Sequence, residues 1–239
     1  EPVTNLMRDS EGGFVLTSAP RHGDAVTRRA TAVVLATGAY DIANPIGVPG
    51  EDLPHVSHFF RDPHTGFRRN VVVVGGKNSA AEAALELYRA GARVTLIHRA
   101  PALGDSLKYW VKPDIENRIK DGSVAARMSS RVTSITPEHV TVEGPAGKER
   151  IPADFVYLMT GYRAETVLLE SAGAQVDAPT YAPIHDENTF ETTVPNLFVI
   201  GACVAGKQSG KIFIENGRFH GEVAIRTIAE RRRPAATAF

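Results

Sequence analysis

The feature that most constrains the fold of this 239-residue chain is a run of four valines, residues 71–74, followed by two glycines. A strand that is apolar at every position is typical of a parallel sheet covered on both faces. Apolar residues then recur at three- and four-residue spacing, which predicts a helix with Gly91 at its C′ position. Residues 94–97 predict a second strand. This order of strand, glycine turn, helix and strand is that of a dinucleotide-binding βαβ unit.

The turn before the helix is the predicted cofactor site. Gly75 permits a tight turn, and Gly76 has no Cβ to block a ligand. Free N–H groups at the helix N-terminus favour a pyrophosphate. The usual fingerprint has Gly in place of Lys77, whose ammonium either adds charge to the site or points to solvent. An ordinary βαβ unit without a ligand is the alternative. The predicted contacts are Gly75, Gly76, Lys77, Asn78, Ser79 and Ala80.

The end of the second strand predicts which nicotinamide cofactor binds. A NAD site normally carries Asp or Glu about 20 residues after the turn, where it accepts the ribose hydroxyls. His98 and Arg99 stand in that place. A guanidinium suits a 2′-phosphate and offers no acceptor to a 2′-hydroxyl. The sequence therefore favours NADP(H) over NAD(H), with a solvated arginine at a strand end as the alternative.

Composition and charge argue against several other classes of protein. The 27 basic and 27 acidic residues cancel, so no bulk field attracts nucleic acid or a membrane surface. No apolar run approaches the length of a transmembrane helix, and a single cysteine indicates a reducing, cytoplasmic compartment. His55, His58 and His64 fit no tight ligand spacing, so we expect no metal. Residues 205–211 lack two positions of the phosphate loop of nucleotide hydrolases.

The remaining segments predict short alternating elements. Residues 1–34 are typical of short strands with glycine turns. Apolar residues between positions 107 and 119 have helical spacing, and Pro113 among them predicts either a kink or a late helix start. Residues 123–160 are interpreted as antiparallel strands. Tyr157 and Met159 on the last of these are predicted to be core residues rather than cofactor contacts.

Five stretches carry a family resemblance. They are VVLATGAYDIANPIGVPGEDLPHVSHFF, VVVVGGKNSAAEAALELYRAGARVTLIHR, LKYWVKPDIENRIKDGS, YLMTGYRAE and KIFIENGRFHG. In these stretches the chain resembles the thioredoxin-reductase-like pyridine-nucleotide-disulfide flavoproteins, and most closely the bacillithiol disulfide reductase group (YpdA type). The turn GGKNSA, with its unusual Lys77, is similar to that group's own version of the fingerprint.

The resemblance implies an α/β, Rossmann-like FAD/NAD(P)-binding fold of two domains. Residues 1–57 and 165–239 would form a partial FAD-binding domain, and residues 58–164 an NADPH-binding domain. Glu82 would lie near the nicotinamide side of the turn, and Gly161 beside NADPH. A helix that begins near residue 211 would point its N-terminus at the flavin. The FAD contacts implied by the family are Thr37, Gly38, Gly201, Ala202, Lys211 and Ile212.

The activity implied by the resemblance is hydride transfer from NADPH to FAD, followed by electron transfer to a low-molecular-weight thiol disulfide such as bacillithiol disulfide. The chain has no Cys-x-x-Cys motif, and its single cysteine cannot form an intrachain disulfide. The dithiol relay of thioredoxin reductases is therefore excluded for these residues. The expected partners are a small-molecule thiol disulfide and, in a homo-oligomer, further copies of the chain.

The chain also departs from the family pattern. No N-terminal FAD fingerprint precedes residue 1, so we expect a truncated form that retains NADPH binding beside an incomplete FAD domain. Ala202 replaces an Asp that binds the FAD ribityl chain. Cys203 is either a redox thiol or a small buried hydrophobe, and His220 is either a proton donor or a structural histidine. A non-catalytic NADPH-binding fragment and a ferredoxin–NADP reductase-like enzyme are the alternative functions.

Overall fold

The computed structural model describes residues 1–232 and divides the chain into two compact units. One unit is split in sequence: it combines residues 1–43 with the chain from residue 162 onward. The other unit is continuous and runs over residues 44–161. The last residues of the expected FAD-binding domain, 233–239, lie outside the described part of the chain.

The split unit begins with five short strands. They are β1 (Val3–Arg8), β2 (Phe14–Ser18), β3 (Val26–Ala30), β4 (Val33–Leu35) and β5 (Ile42–Ala43). β1, β2 and β3 form an antiparallel sheet, and the side chains of Leu6 and Phe14 on this sheet are fully buried. The short strands predicted for residues 1–34 are confirmed.

The continuous unit contains two α-helices and two sheets. Its elements are β6 (Val56–Ser57), β7 (Asn70–Val74), α1 (Asn78–Arg89), β8 (Arg93–Ile97), α2 (Lys112–Lys120), β9 (Ala125–Arg127), β10 (Arg131–Ile135), β11 (His139–Gly144), β12 (Gly147–Pro152) and β13 (Phe155–Leu158). The main sheet is parallel throughout, in the order β6-β13-β7-β8-β9. The predicted βαβ unit is therefore confirmed as β7, α1 and β8.

Helix α1 packs a face of small and apolar residues on the sheet. Its alanines and leucines have almost no exposed surface, which matches the three- and four-residue spacing of the sequence. Gly91 adopts a φ of +87° directly after Ala90, the C-cap residue, so it terminates the helix at the predicted C′ position. Ile115 of α2 is fully buried in the same cluster.

Two predictions for this unit need correction. Residues 123–160 are not all antiparallel, because β9 and β13 belong to the parallel sheet and only β10, β11 and β12 form an antiparallel one. Their partners lie far away in sequence: Phe155 pairs with Val71, and Ala125 with Thr95. Of the two alternatives for Pro113, the late start is correct, since α2 begins at Lys112 with the proline in its first turn.

The boundary between the units also lies earlier than predicted. Residues 44–57 belong to the continuous unit, whereas the sequence assigned them to the split one. The carboxylate of Glu51 accepts the backbone N–H of Gly47 at 2.7 Å, and the N–H of Ile135 donates to the carbonyl of Pro49 at 2.9 Å. The first bond closes a turn within the segment, and the second joins the segment to β10, which no local pattern indicates. At the other end, the boundary lies at residue 161 rather than 164.

The second part of the split unit contains four strands and three α-helices. They are β14 (Tyr162–Arg163), α3 (Val167–Ser171), β15 (Val176–Asp177), β16 (Ala182–Pro183), β17 (Leu197–Val199), α4 (Ile214–Gly217) and α5 (His220–Arg232). β17 pairs in parallel with β4, and β14 pairs with β5 in antiparallel fashion. Leu197, Phe198 and Val199 are completely buried, so the β4–β17 pair is part of the core of this unit.

The helix predicted to begin near Lys211 begins at Ile214, three residues later, and is four residues long. Residues Gly201–Lys211 form 3-10 turns that are interrupted at Gly206, and the next α-helix begins at Ile214. Gly206 has a φ of +54°, and a Cβ there would lie 2.2 Å from the carbonyl oxygen of Thr180. Contact with the chain before β16 therefore bends the 3-10 segment at Gly206.

We predict that Gly50→Ala destabilises the continuous unit more than Gly47→Ala does. Both glycines have positive φ, +86° and +71°, which costs an alanine about 1 kcal/mol. A Cβ on Gly50 would also lie 2.0 Å from the carbonyl oxygen of Ile135, whereas a Cβ on Gly47 has nothing within 4 Å. The overlap adds about 1–3 kcal/mol to the loss of unfolding free energy in urea. Equal losses would contradict the placement of this segment on β10.

Candidate functional site

The carboxyl edge of the parallel sheet has its topological switch point between β7 and β13. From β7 the chain passes through α1 to β8 on one side, while β13 pairs with β7 on the other. Ligands of open parallel sheets bind outside the carboxyl ends of the strands at such a point. The segments that meet there are the turn after β7 and the residues after β13.

Gly75 is required where these two segments meet. A Cβ at this position would lie 2.5 Å from the carbonyl oxygen of Met159 and 2.8 Å from the Cβ of Ala80. The turn thus passes directly between the end of β13 and the start of α1, in agreement with the tight turn predicted for Gly75. Met159 and Tyr157 are both buried, as predicted for core residues.

Gly76 has a different neighbour from the one expected. The sequence predicted open space for a ligand, but a Cβ on Gly76 would lie 2.1 Å from Cε1 of His98. The imidazole therefore packs against the turn. Burial, and next the charge of Arg99, lower the pKa of His98 below its ordinary value, so the ring that packs on the glycine is neutral at neutral pH.

The first turn of α1 offers two free backbone donors. Lys77 is the N-cap residue; its side chain is exposed and makes no capping hydrogen bond. The N–H groups of Ala80 and Ala81 both donate to the carbonyl of Lys77 at 3.1 Å. Those of Asn78 and Ser79 have no acceptor within residues 1–232. The helix start therefore presents unpaired donors and the positive end of its dipole.

The side chains of Asn78 and Glu82 hold a neighbouring loop. Oδ1 of Asn78 accepts the backbone N–H of Lys108 at 2.8 Å, and Nδ2 donates to the carbonyl of Ser106 at 3.4 Å. One turn further along α1, Glu82 forms an ion pair with Nζ of Lys108 at 2.8 Å. Sequence reasoning missed Lys108, since the loop between Arg99 and α2 has no periodic pattern that indicates where it packs.

Arg99 lies two residues after the end of β8, on a segment with a fixed backbone. His98 N–H donates to the carbonyl of Arg127, and Ser129 N–H donates to that of Ala100, both at 2.9 Å. The guanidinium of Arg99 is exposed and forms no ion pair in the described part of the chain. Arg99 is therefore a cation held at the carboxyl edge with its charge uncompensated by a carboxylate.

Arg127 is a second cation at this edge that the sequence analysis did not identify. It ends β9, and it binds both carboxylate oxygens of Glu149 at 2.6 and 2.7 Å. The hydrogen bond from Arg127 holds the pKa of Glu149 below its ordinary value. Only the parallel assignment of β9 would have paired Arg127 with Ile97, two residues before Arg99.

Gly161 follows β13, as expected, and is the last residue of the continuous unit. Its φ is +86°, and its carbonyl accepts the N–H of Asn44 at 2.9 Å. Thr160 Oγ1 donates to the carbonyl of Asn44 at 2.6 Å. The strand end predicted to approach a nucleotide is therefore fixed by the other end of the same unit.

In the split unit, Gly38 and Gly201 follow the paired strands β4 and β17. Both have positive φ, +77° and +73°, and a Cβ on either would meet nothing within 4 Å. Thr37 is exposed and Ala202 half-buried. Lys211 is exposed and Ile212 packs against the core, at the end of the 3-10 segment rather than at a helix start. The predicted FAD contacts therefore provide open backbone at two strand ends, and the helix expected after them begins three residues past Lys211.

Cys203 is a core residue. Its side chain has no exposed surface, and Sγ donates to the carbonyl of Ile200 at 3.0 Å. Burial raises the pKa of the thiol, against the opposing effect of hydrogen bonds with Ile200 and Thr37. Thiol nucleophiles react as exposed thiolates, so this geometry favours the small buried hydrophobe over the redox thiol.

His220 is the other residue for which the sequence left two roles open. Its Nδ1 accepts the backbone N–H of Gly201 at 3.2 Å, and its ring stacks on Phe190 with centroids 4.1 Å apart. Burial, and next the nearby His185, lower its pKa below the ordinary value. These contacts are those of a neutral structural histidine.

Two of the three histidines considered for a metal, His58 and His64, each lie beside a different carboxylate. His58 Nε2 lies 3.2 Å from Glu51, and His64 Nδ1 lies 3.2 Å from Asp62. Within residues 1–232, no group of three or more His, Cys, Asp or Glu side chains is arranged to hold a metal ion. In the same range, no helix has both the length and the apolar character needed to span a membrane.

Comparison with known proteins identifies the family. The sequence model described as pyridine nucleotide-disulphide oxidoreductase matches residues 1–201. The chain belongs to this family. Its members are named for a pyridine nucleotide, in agreement with a dinucleotide site at the switch point. The resemblance found in the sequence motifs and the Rossmann-like α/β fold are both confirmed.

The relatives include reductases of the expected group. Bacilliredoxin reductase Bdr from Bacillus subtilis is 43% identical over 199 residues, which is 83% of this chain and 61% of that protein. The structure of bacillithiol disulfide reductase Bdr (YpdA) from Bacillus cereus has a TM-score of 0.92 at 39% identity and covers 96% of this chain and 71% of that one. Thioredoxin reductase from T. acidophilum, at 21% identity and a TM-score of 0.73, covers 95% and 74% and shares the fold.

We predict that His220→Asn reduces the pH dependence of stability. Because the folded-state pKa of His220 is lowered, the unfolded chain binds a proton more readily, and this histidine's contribution is complete above pH ~6.5 and lost as pH falls below it. Asparagine keeps an acceptor for the N–H of Gly201. The midpoint of urea unfolding should therefore fall less between pH 7.5 and 5.5 in this variant than in the wild-type chain. In the exposed-site control His22→Asn, the fall should equal that of the wild-type chain. An unaltered slope in His220→Asn would contradict the assignment.

Proposed function

We propose that this chain contributes the nucleotide-binding and part of the flavin-binding machinery of an NADPH-dependent flavoprotein disulfide reductase, whose substrate is a low-molecular-weight thiol disulfide such as bacillithiol disulfide. The observation that carries the proposal is the Gly75 turn at the switch point, in a chain that belongs to the pyridine nucleotide-disulphide oxidoreductases. The chain spans 61% of its bacilliredoxin reductase relative, so the activity of the whole protein is part of the proposal.

The residues of the continuous unit fit a nicotinamide dinucleotide. A Cβ at Gly75 would fill the passage between α1 and β13, and the free N–H groups of Asn78 and Ser79 suit a pyrophosphate. Gly161 presents backbone at the end of β13. Lys77 lies exposed at the N-cap, where its ammonium supports an anion together with the helix dipole.

The preference for NADPH over NADH rests on Arg99. The guanidinium is exposed on a fixed backbone and has no carboxylate partner, so it is available to a 2′-phosphate. No Asp or Glu occupies positions 98–99, where an acceptor for a 2′-hydroxyl would be expected. His98, held neutral against the turn, fixes the start of this segment.

The residues of the split unit fit FAD in part. Open backbone at Gly38 and Gly201 allows a flat ring system to approach, with Thr37 and Ala202 beside them. The 3-10 segment ends at Lys211, and the helix after it begins only at Ile214 and is four residues long, so its dipole contributes little at Ile212. When bound, the two cofactors supply hydride transfer from nicotinamide to flavin and electron transfer to a disulfide.

The proposed substrate follows from the relatives and from the cysteine content. Two reductases named for bacilliredoxin and bacillithiol disulfide are 43% and 39% identical to this chain. The chain itself has one cysteine, which is buried, so these residues hold no dithiol that could relay electrons to a protein disulfide. A small disulfide that is reduced at the flavin needs no such relay.

The proposal is tested by adding FAD, NADPH and bacillithiol disulfide to the purified chain and following NADPH oxidation at 340 nm, together with calorimetric NADPH binding. Calorimetric binding of NADPH is the expected result for this chain, and oxidation that depends on the disulfide would show that its part of the flavin site is sufficient for turnover. Binding of NADPH with no oxidation would restrict this chain to the role of a nucleotide-binding fragment. Absence of both would overturn the site.

We predict that Arg99→Glu weakens NADPH binding much more than NADH binding. The substitution removes a cation that faces the 2′-phosphate and adds repulsion, with an expected loss of about 2–4 kcal/mol for NADPH. The matched control is Lys120→Glu, which makes the same charge change at the exposed end of α2. Calorimetry with both nucleotides measures the difference. A similar loss for NADPH and NADH would show that Arg99 does not read the phosphate.

A further inference from the structure

The loop between β8 and α2 is fastened to the first turn of α1. Both polar atoms of the Asn78 side chain are used for this purpose, one by the N–H of Lys108 and the other by the carbonyl of Ser106. The Asn78 amide is therefore not available to a ligand, although its backbone N–H is. The side chain that the sequence assigned to cofactor binding instead fixes where the backbone of Lys108 lies.

Lys108 is thereby held beside the start of α1. Its backbone N–H is 2.8 Å from Asn78 Oδ1, so its side chain extends from a point at the first helical turn. Nζ lies 2.8 Å from Glu82, which is four residues, or about 6 Å, further along the helix axis. The Lys108 side chain is 43% exposed, and exposed ion pairs of this kind contribute little free energy.

A phosphate bound at the helix start would compete with Glu82 for this ammonium. It carries a full negative charge next to the unpaired N–H groups of Asn78 and Ser79, and lysine binds phosphate as a point charge on a flexible four-carbon stem. Rotation about the side-chain torsions of Lys108 would turn Nζ from the carboxylate toward the helix start, with the backbone still held by Asn78.

We propose that Lys108 is a ligand of the dinucleotide pyrophosphate, with Asn78 as its positioning residue and Glu82 as its partner when no nucleotide is bound. This inference rests on the proposed dinucleotide site. It assigns different roles to the two cations: Arg99 distinguishes NADPH from NADH by the 2′-phosphate, whereas Lys108 contacts a group that both nucleotides share.

The first test measures calorimetric dissociation constants of Lys108→Met for NADPH and NADH. We expect both to rise by about tenfold, the effect of losing one hydrogen bond to a charged group, with the ratio between them unchanged. Lys108→Arg should restore most of the affinity. The control Lys120→Met removes the same charge from the far end of α2 and should leave both constants unaltered.

The second test is a double-mutant cycle with Asn78→Ala. If Asn78 acts by positioning Lys108, Asn78→Ala weakens binding in the wild-type chain and has little further effect together with Lys108→Met. Fully additive losses would overturn the positioning role. Unchanged constants in Lys108→Met, in a wild-type chain that binds both nucleotides, would overturn the ligand role alone. A wild-type chain that binds neither nucleotide would overturn the proposed site itself.

Discussion

The close passage of the Gly75 turn between β13 and α1 is the constraint on which the continuous unit depends. Only a glycine fits where a Cβ would lie 2.5 Å from the Met159 carbonyl, and this contact fixes the end of β7, the start of α1 and the end of β13 together. The same three ends form the switch point of the parallel sheet. The packing of the unit and the proposed binding of a nucleotide therefore both depend on Gly75.

Three cations lie at the carboxyl edge of the sheet, and they differ in how firmly each is paired with a carboxylate. This difference suggests different functions. Arg127 is paired with both oxygens of Glu149, Lys108 is paired with Glu82 in a half-exposed bridge, and Arg99 has no carboxylate partner in the described part of the chain. An uncompensated guanidinium is available to a phosphate at once. A weakly paired ammonium is available after a local exchange of partners, whereas the bidentate pair joins the end of β9 to β12.

The sequence predicted those features whose signals are local. The strand, turn and helix of residues 70–97 follow from hydrophobic spacing and from glycine positions within 30 residues, and the family was visible in the motifs. Features that depend on distant partners were missed or wrong. The parallel pairing of β13 with β7 joins residues 84 positions apart, and the segment before β6 is held by β10. The bend of the chain at Gly206 against Thr180 also depends on a distant partner. The Asn78–Lys108 contact likewise follows from tertiary packing.

The central claim is that a nicotinamide dinucleotide binds at the start of α1, beside the ends of β7 and β13. It is tested most directly by titrating the ¹⁵N-labelled chain with NADPH and following the assigned backbone amide resonances. The account predicts the largest shifts for the unpaired amides of Asn78 and Ser79, with smaller shifts at Gly161 and Arg99. Saturable binding with no shift at Asn78 and Ser79, and shifts confined to other parts of the chain, would contradict it.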